Sequence, residues 1–470
     1  MEIDRQASSY TELCRTFRWR VPENFNIAVD VCGRWAEERN RFALYYEEAS
    51  GLTSAHTFWD IQREANRLSN VLAALGTLPG DRVAILLPQC PEAAIAHIAI
   101  YQMGALAVPL PQLLGVDALA FCLGDAGAHL AIVDPRTQAT LQEIRYKLPH
   151  LRHLIGVGAA AGKGVRPWAE VLEHASTRYT PAATAASDPA IILYTSGTTG
   201  KPKGTLLAHR ALLGNLSGFV CSHDFFPQPR DLFWSPADWA GTGGVCDGLL
   251  PSWHFGMPLL AYNGRFEARK AFALIEKYGV RNSLLLPMAL KMMMKSVPDP
   301  RASYDLDLRT IVSSGQAVGG MLGKGVEEAV LHWAKDKLGI TINEIFGQTE
   351  MNHVVGNCPA LWSAKPGAMG RAYPGHRVAV IDRHGRVLPA GELGELAVHR
   401  QCHAQDDPVI MLGYWNNPEA TAEKFSADGW GLTGELAKID ADGDLWYQGP
   451  ADDRFTGVAC LAAAKEQAIG

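Results

Sequence analysis

The densest chemical signal in the chain is the run Tyr194-Thr195-Ser196-Gly197-Thr198-Thr199-Gly200-Lys201-Pro202-Lys203-Gly204, directly after the apolar segment Ala190-Ile191-Ile192-Leu193. Gly197 and Gly200 let the backbone turn tightly and aim several N–H groups at one place. The hydroxyls of Thr195, Ser196, Thr198 and Thr199 add donors, and Lys201 and Lys203 add positive charge. A loop of this kind suits a polyphosphate. The Walker pattern G-x-x-x-x-G-K-[ST] is not met: Thr195 stands where its first glycine is needed, and Pro202 replaces the hydroxyl residue that would reach Mg²⁺.

The elements that must position this loop are legible on either side of it. Apolar Ile61, Ala65, Leu68 and Leu72 at helical spacing predict a helix from Phe58 to Leu75, broken by Gly76 and Pro79-Gly80. Arg82 to Pro88 reads as a buried strand, Pro91 opens a second helix, and Ala105 to Leu110 and Ala131 to Pro135 repeat the strand signal. Such alternation predicts an α/β fold with parallel sheets covered by helices. Residues 159–189, rich in Ala, Gly, Pro and Thr, read as a linker between lobes. From His376 onward, short runs (VAVID, GELAV, WGLTGELAKID) predict a small antiparallel β subdomain. The expected boundaries are 30–180 and 181–372 for two α/β subdomains, 373–450 for the β-rich part and 451–470 for a tail.

At 470 residues, with 47% hydrophobic and 20% charged residues, the chain is neither disordered nor low in complexity. Its 43 Lys+Arg against 49 Asp+Glu give a formal charge of -6, which argues against nucleic acid or a polybasic membrane contact. Nine scattered cysteines without a C-x-x-C pair point to a reducing cytoplasm rather than a disulfide scaffold or zinc cluster. The uncharged stretch from Ala93 to Val116 contains His97, Gln102, Gly104, Pro109 and Pro111, and reads as a buried helix and strand, so no integral membrane segment is expected.

The run YTSGTTGKPKG resembles the phosphate-binding signature of the adenylate-forming superfamily, which includes acyl-CoA synthetases, luciferases and the adenylation domains of peptide synthetases. Matches continue in the same order through Thr57-Phe58, Gly104 to Leu110, Ser313 to Ala317, Glu344 to Glu350, Gly394-Glu395-Leu396, Gly413-Tyr414-Trp415 and Thr433-Gly434, over nearly the whole chain. The resemblance implies ATP-dependent activation of a carboxylic acid, fatty or related, to an acyl-adenylate, followed by transfer to a thiol such as CoA. ATP, Mg²⁺ and CoA are the implied cofactor and co-substrates. Thr195, Ser196, Gly197, Thr198, Thr199, Gly200 and Lys201, with Lys203, would hold the phosphates. Thr349 would donate to the α-phosphate, and Glu350 would ligate Mg²⁺. Gly315, Gln316, Ala317, Glu344, Ile345, Phe346, Gly347, Gln348 and Thr349 would frame the adenine, with Glu435 on the ribose.

The segment Asp238 to Gly244 resembles the substrate-lining segment of acyl-CoA synthetases, placing Trp239 and Gly241 at the acyl pocket. Acetyl-specific members place Trp where this chain has Gly347, so an open volume there is expected to admit a short-to-medium aliphatic or aryl acid. Departures cluster late in the chain. Glu435 replaces an expected Asp, and Pro450 replaces an Arg and offers no donor. The run FTGVACLAAAKEQAIG from Phe455 does not resemble the continuation that carries a P-x-x-x-S-G-K lysine. That departure implies a truncated or frameshifted product near residue 454, with weak adenylation at best and very slow thioester formation. A non-catalytic ATP/AMP-binding remnant or regulatory protein is the alternative. A carrier-protein thiol as acceptor and a homodimer both stay open.

Overall fold

The computed structural model describes residues 3–195, 201–314 and 328–451. Gly76 follows a helix spanning Phe58–Ala74, whose entry is fixed by a reciprocal cap: Thr57 accepts from the Asp60 N–H while Asp60 accepts from the Thr57 N–H. The expected strands form at Arg82–Leu86, Leu106–Pro109 and Leu130–Val133, and the Pro91–Gln102 helix is buried almost all round.

These strands belong to an eight-stranded sheet running Gly413–Tyr414, Lys203–Ala208, Pro189–Thr195, Leu106–Pro109, Arg82–Leu86, Leu130–Val133, His153–Gly156 and Val165–Pro167. Its interior pairs are parallel, and the Lys203–Ala208 edge is antiparallel. Alternate side chains of Arg82–Leu86 enter different cores. Val83 and Ile85 pack with Ile61, Leu68 and Ile98, whereas Ala84 and Leu86 pack with Leu119, Leu123 and Leu141. A strand buried on both faces has no room for a polar alternation, which is why RVAIL reads as a continuous apolar run.

A second sheet of nine strands joins Phe42–Glu47 and Thr53–Thr57 to Phe233–Trp234, Leu259–Tyr262, Asn282–Leu284, Thr310–Ser313, Ile342–Gln348, Met351–Gly356 and Arg371–Ala372. Leu44, Phe233 and Leu259 meet the same core as Val83 and Ile85, while Trp234 and Leu260 face another with Phe272 and Ile275. The two sheets therefore sandwich one shared helical layer, and each carries a further helical layer outside. Each sheet draws strands from both sides of residue 180, because Pro189–Thr195 extends the first sheet beside Leu106–Pro109 and Phe42–Thr57 closes the second. The stretch 159–189 is less loose than its composition suggests, since it holds the strand Val165–Pro167 and the helix Trp168–Glu173.

The third unit is the four-stranded antiparallel sheet Arg377–Ile381, Gly394–His399, Trp430–Ile439 and Leu445–Pro450. Among the described residues no helix is long and apolar enough to cross a membrane, and Ala93 to Val116 resolves into helix, strand and helix start. The eight described cysteines are free thiols.

Candidate active site

The strands on either side of the Thr195 to Lys203 run pair antiparallel as a hairpin, Thr195 with Lys203 and Tyr194 with Gly204. Gly204 is needed for close approach: a Cβ there would sit 2.9 Å from Ile192 Cγ2 and 3.1 Å from the Tyr194 ring. Tyr194 is itself anchored, its hydroxyl donating to Asp125 Oδ2 at 2.6 Å. Lys201 Nζ lies 5.3 Å from the centre of the Phe121 ring, and Lys203 Nζ lies 4.9 Å from that of Tyr414. Aromatic faces in this range attract and position a cation. Ser196, Gly197, Thr198, Thr199 and Gly200 lie outside the described residues, as do Gly315, Gln316 and Ala317 and the tail from 452.

Glu350 sits at the turn between Ile342–Gln348 and Met351–Gly356 and is buried. The Tyr414 hydroxyl donates to its Oε1 at 2.5 Å, and its carbonyl accepts from the Met411 N–H. Burial and the Glu350 charge push the Tyr414 phenol well above its ordinary range, so it stays a donor. Tyr414 pairs with Thr205 on the hairpin strand, and the Trp415 N–H donates to the Gly204 carbonyl at 2.7 Å. One tyrosine ring thus carries the hairpin's Lys203 on its face and the carboxylate of Glu350 at its hydroxyl. The two segments flank a single locus, as sharing one nucleotide requires.

The residues after Glu350 are braced from below. Asp247 Oδ1 accepts from Asn352 Nδ2 at 2.6 Å and Asn215 Nδ2 at 3.1 Å, and lies 3.1 Å from His353 Nδ1; His353 Nε2 faces Ser222 Oγ at 3.0 Å. A second relay joins Ser217, His376 and Asp407 at 3.2 and 2.7 Å. Both look like hydrolase triads, yet the two histidine side chains have no exposed surface. They tie the helix Ala211–Ser222 to its neighbours.

Of the residues expected to frame adenine, Ile345 is buried and Phe346 half-buried. Burial pushes the Glu344 carboxyl up to about 8, and its Oε2 has no partner among the described residues. Glu435 lies on Trp430–Ile439; burial raises its pKa, while a hydrogen bond with Tyr447 and the Lys424 charge oppose the rise. Its Oε2 is likewise buried without a partner among the described residues, which leaves an acceptor for a sugar hydroxyl. Pro450 is the cross-strand partner of Glu435, so the departure noted in the sequence faces that carboxylate directly. The cation that does face Glu435 is Lys424, which no motif singled out. Its Nζ donates to Gln348 Oε1 at 2.8 Å, and Gln348 Nε2 donates to the Thr433 carbonyl at 2.6 Å.

At the acyl segment Trp239 is buried, and a Cβ on Gly241 would meet nothing nearer than Asp238 O at 3.9 Å. Gly347 is exposed, yet a Cβ there would fall onto the backbone nitrogen of His353, with Asn352 C at 3.0 Å, so a side chain at this position would require the neighbouring strand to shift. Thr349 borders an apolar cavity of about 20 Å³ with Ile191, Leu207 and Cys246. A larger cleft of about 520 Å³ lies along the hairpin between Lys201, Lys203, Phe121 and Asn416.

A nucleotide-binding α/β fold with paired phosphate and carboxylate segments is the class these features define. The AMP-binding enzyme family matches residues 33–415. The acetyl-coenzyme A synthetase of Bacillus subtilis (strain 168) is 30% identical, over 96% of this chain and 79% of that protein. The human mitochondrial acyl-coenzyme A synthetase ACSM5 is 29% identical, over 93% of this chain and 74% of that protein. Among solved structures, the acyl-CoA synthetase of Brucella canis superposes with a TM-score of 0.85 at 26% identity, covering 95% of this chain and 80% of that one. The anthranilate CoA ligase AuaEII, solved with anthranoyl-AMP, gives 0.82 at 26%, covering 92% and 79%. The chain belongs to the AMP-binding enzyme family, the adenylate-forming superfamily, and is an acid–thiol ligase of the acyl-CoA synthetase type.

Proposed function

We propose that the protein activates a carboxylic acid, fatty or related, with ATP and passes the acyl group to CoA. A carboxylate oxygen of the acid attacks the α-phosphorus, the bond to the β-phosphate breaks and pyrophosphate leaves; the thiol then attacks the acyl carbon and AMP departs. The observation that carries this reading is the placement of Lys203 and Glu350 on one tyrosine ring. Thr195 and Lys203 would offset the charge that builds on the leaving pyrophosphate. Thr349 would donate to the α-phosphate, Ile345 and Phe346 would lie against adenine, and the unpartnered oxygen of Glu435 would accept from the ribose.

Glu350 suits Mg²⁺, since a carboxylate is the hard oxygen donor this ion selects. When bound, the metal draws charge from the phosphates and aligns them. Gly241 is where acid size would be read, because space beside it is open.

Acid-dependent exchange of labelled pyrophosphate into ATP tests the reading, with acetate, butyrate, octanoate, benzoate and anthranilate as the panel. Exchange should appear with at least one acid and fall on the order of 10²–10³-fold in Lys203→Met and Glu350→Gln, the cost of losing one preorganised electrostatic contact. Magnesium-dependent ATP binding without exchange for any acid would favour a non-catalytic nucleotide-binding protein instead.

A further inference from the structure

Lys424 meets the site from outside the motifs that the sequence singled out. It directly follows the helix Pro418–Glu423, and its backbone is fixed on both sides: its N–H donates to the Ala420 carbonyl, and its carbonyl accepts from the Leu432 N–H at 2.9 Å. The side chain is half-buried and ends among Glu350, Glu395, Glu435 and Lys203, the charges that act on it most. Its hydrogen bond to Gln348 has only one chemical sense. An ammonium can only donate and a carbonyl can only accept, so the Gln348 amide must give its oxygen to Lys424 and its nitrogen to Thr433. The bridge Lys424–Gln348–Thr433 therefore joins the strand leading to Glu350 to the strand leading to Glu435.

We propose that Lys424 is a positioning residue for the nucleotide: it orients Gln348 so that the carboxylates of Glu350 and Glu435 are held at a fixed separation across one bound ATP. This rests on the adenylating reading above. Lys424 also sets the local charge. Glu350, Glu395 and Glu435 all act on Lys424, and removing its charge would leave their negative charge less offset, which disfavours an anionic ligand. The residue opposite Glu435 on the next strand is Pro450, which supplies no charge, so the task falls to Lys424.

The test is calorimetric titration of the full chain with Mg-ATP, which needs no turnover, alongside Michaelis constants where exchange is seen. Lys424→Met should weaken Mg-ATP binding by about 10- to 100-fold, the range for a lost hydrogen bond to a charged group, and leave the Michaelis constant for the acid within about threefold. Lys424→Arg should recover most of the affinity. The double variant Lys424→Met/Gln348→Met should bind about as weakly as the worse single variant, because both act through one bridge. Unchanged Mg-ATP affinity in Lys424→Met would overturn the proposal, as would additive losses in the double variant. Equal losses for ATP and acid with a lowered melting temperature would also overturn it, marking a merely structural lysine. Failure of the unmodified chain to bind Mg-ATP at all would overturn the adenylating reading itself, and this inference with it.

Discussion

Glu344 holds its proton to about pH 8 because burial penalises its charged form, while its ordinary value is 4.5. Between those values the unfolded chain has released the proton and the folded chain has not, so stability falls as pH rises from about 4.5 to about 8. Glu344→Gln should flatten that slope, read as thermal midpoints from about pH 5 to about pH 8. An unchanged slope would mean the carboxyl is ionised in the fold. At Gly241, where a side chain would enter open space, Gly241→Leu should narrow the acids that support exchange toward smaller ones; an unaltered panel would remove Gly241 from the pocket. The residues that sequence made legible were those in dense runs, such as Thr195 to Lys203 and Glu344 to Glu350. Lys424 was not, because its meaning comes only from the strands it touches.

Close backbone contact, beside the side-chain bonds, joins the elements around Glu350. Gly347 lets Ile342–Gln348 pass against the backbone at His353, and Gly218 does the same for the helix Ala211–Ser222. Gly347→Ala should cost about 1–3 kcal/mol by overpacking, whereas Gly241→Ala, with open space beside it, should be near neutral; thermal unfolding of the two variants checks the contrast. Equal melting temperatures would mean the strand at His353 moves aside freely. The close crossing at Gly347 was not legible in the sequence, because a missing side chain marks either an open pocket or a close approach, and the chain alone does not tell which. Helix and strand identities were more readable. The Thr57 cap, the Pro91 start and the RVAIL run follow from local geometry and periodicity, which sequence carries directly.

Across the whole molecule the account depends on strand order, which periodicity does not encode. Phe42–Glu47 and Thr53–Thr57 close one end of the sheet whose other end carries Glu350 between two strands, and Gly413–Tyr414 returns from beyond it to edge the sheet of the phosphate hairpin. That return brings Tyr414 between Lys203 and Glu350, a contact the motif Gly413-Tyr414-Trp415 marked without revealing its purpose. The most direct measurement is a crystal structure of the protein with Mg²⁺ and ATP. The account predicts terminal phosphates within hydrogen-bonding reach of Thr195 and Lys203, the metal on Glu350 and the ribose on Glu435. A triphosphate lodged instead in the cleft between Phe121 and Asn416, with Glu350 untouched, would contradict it.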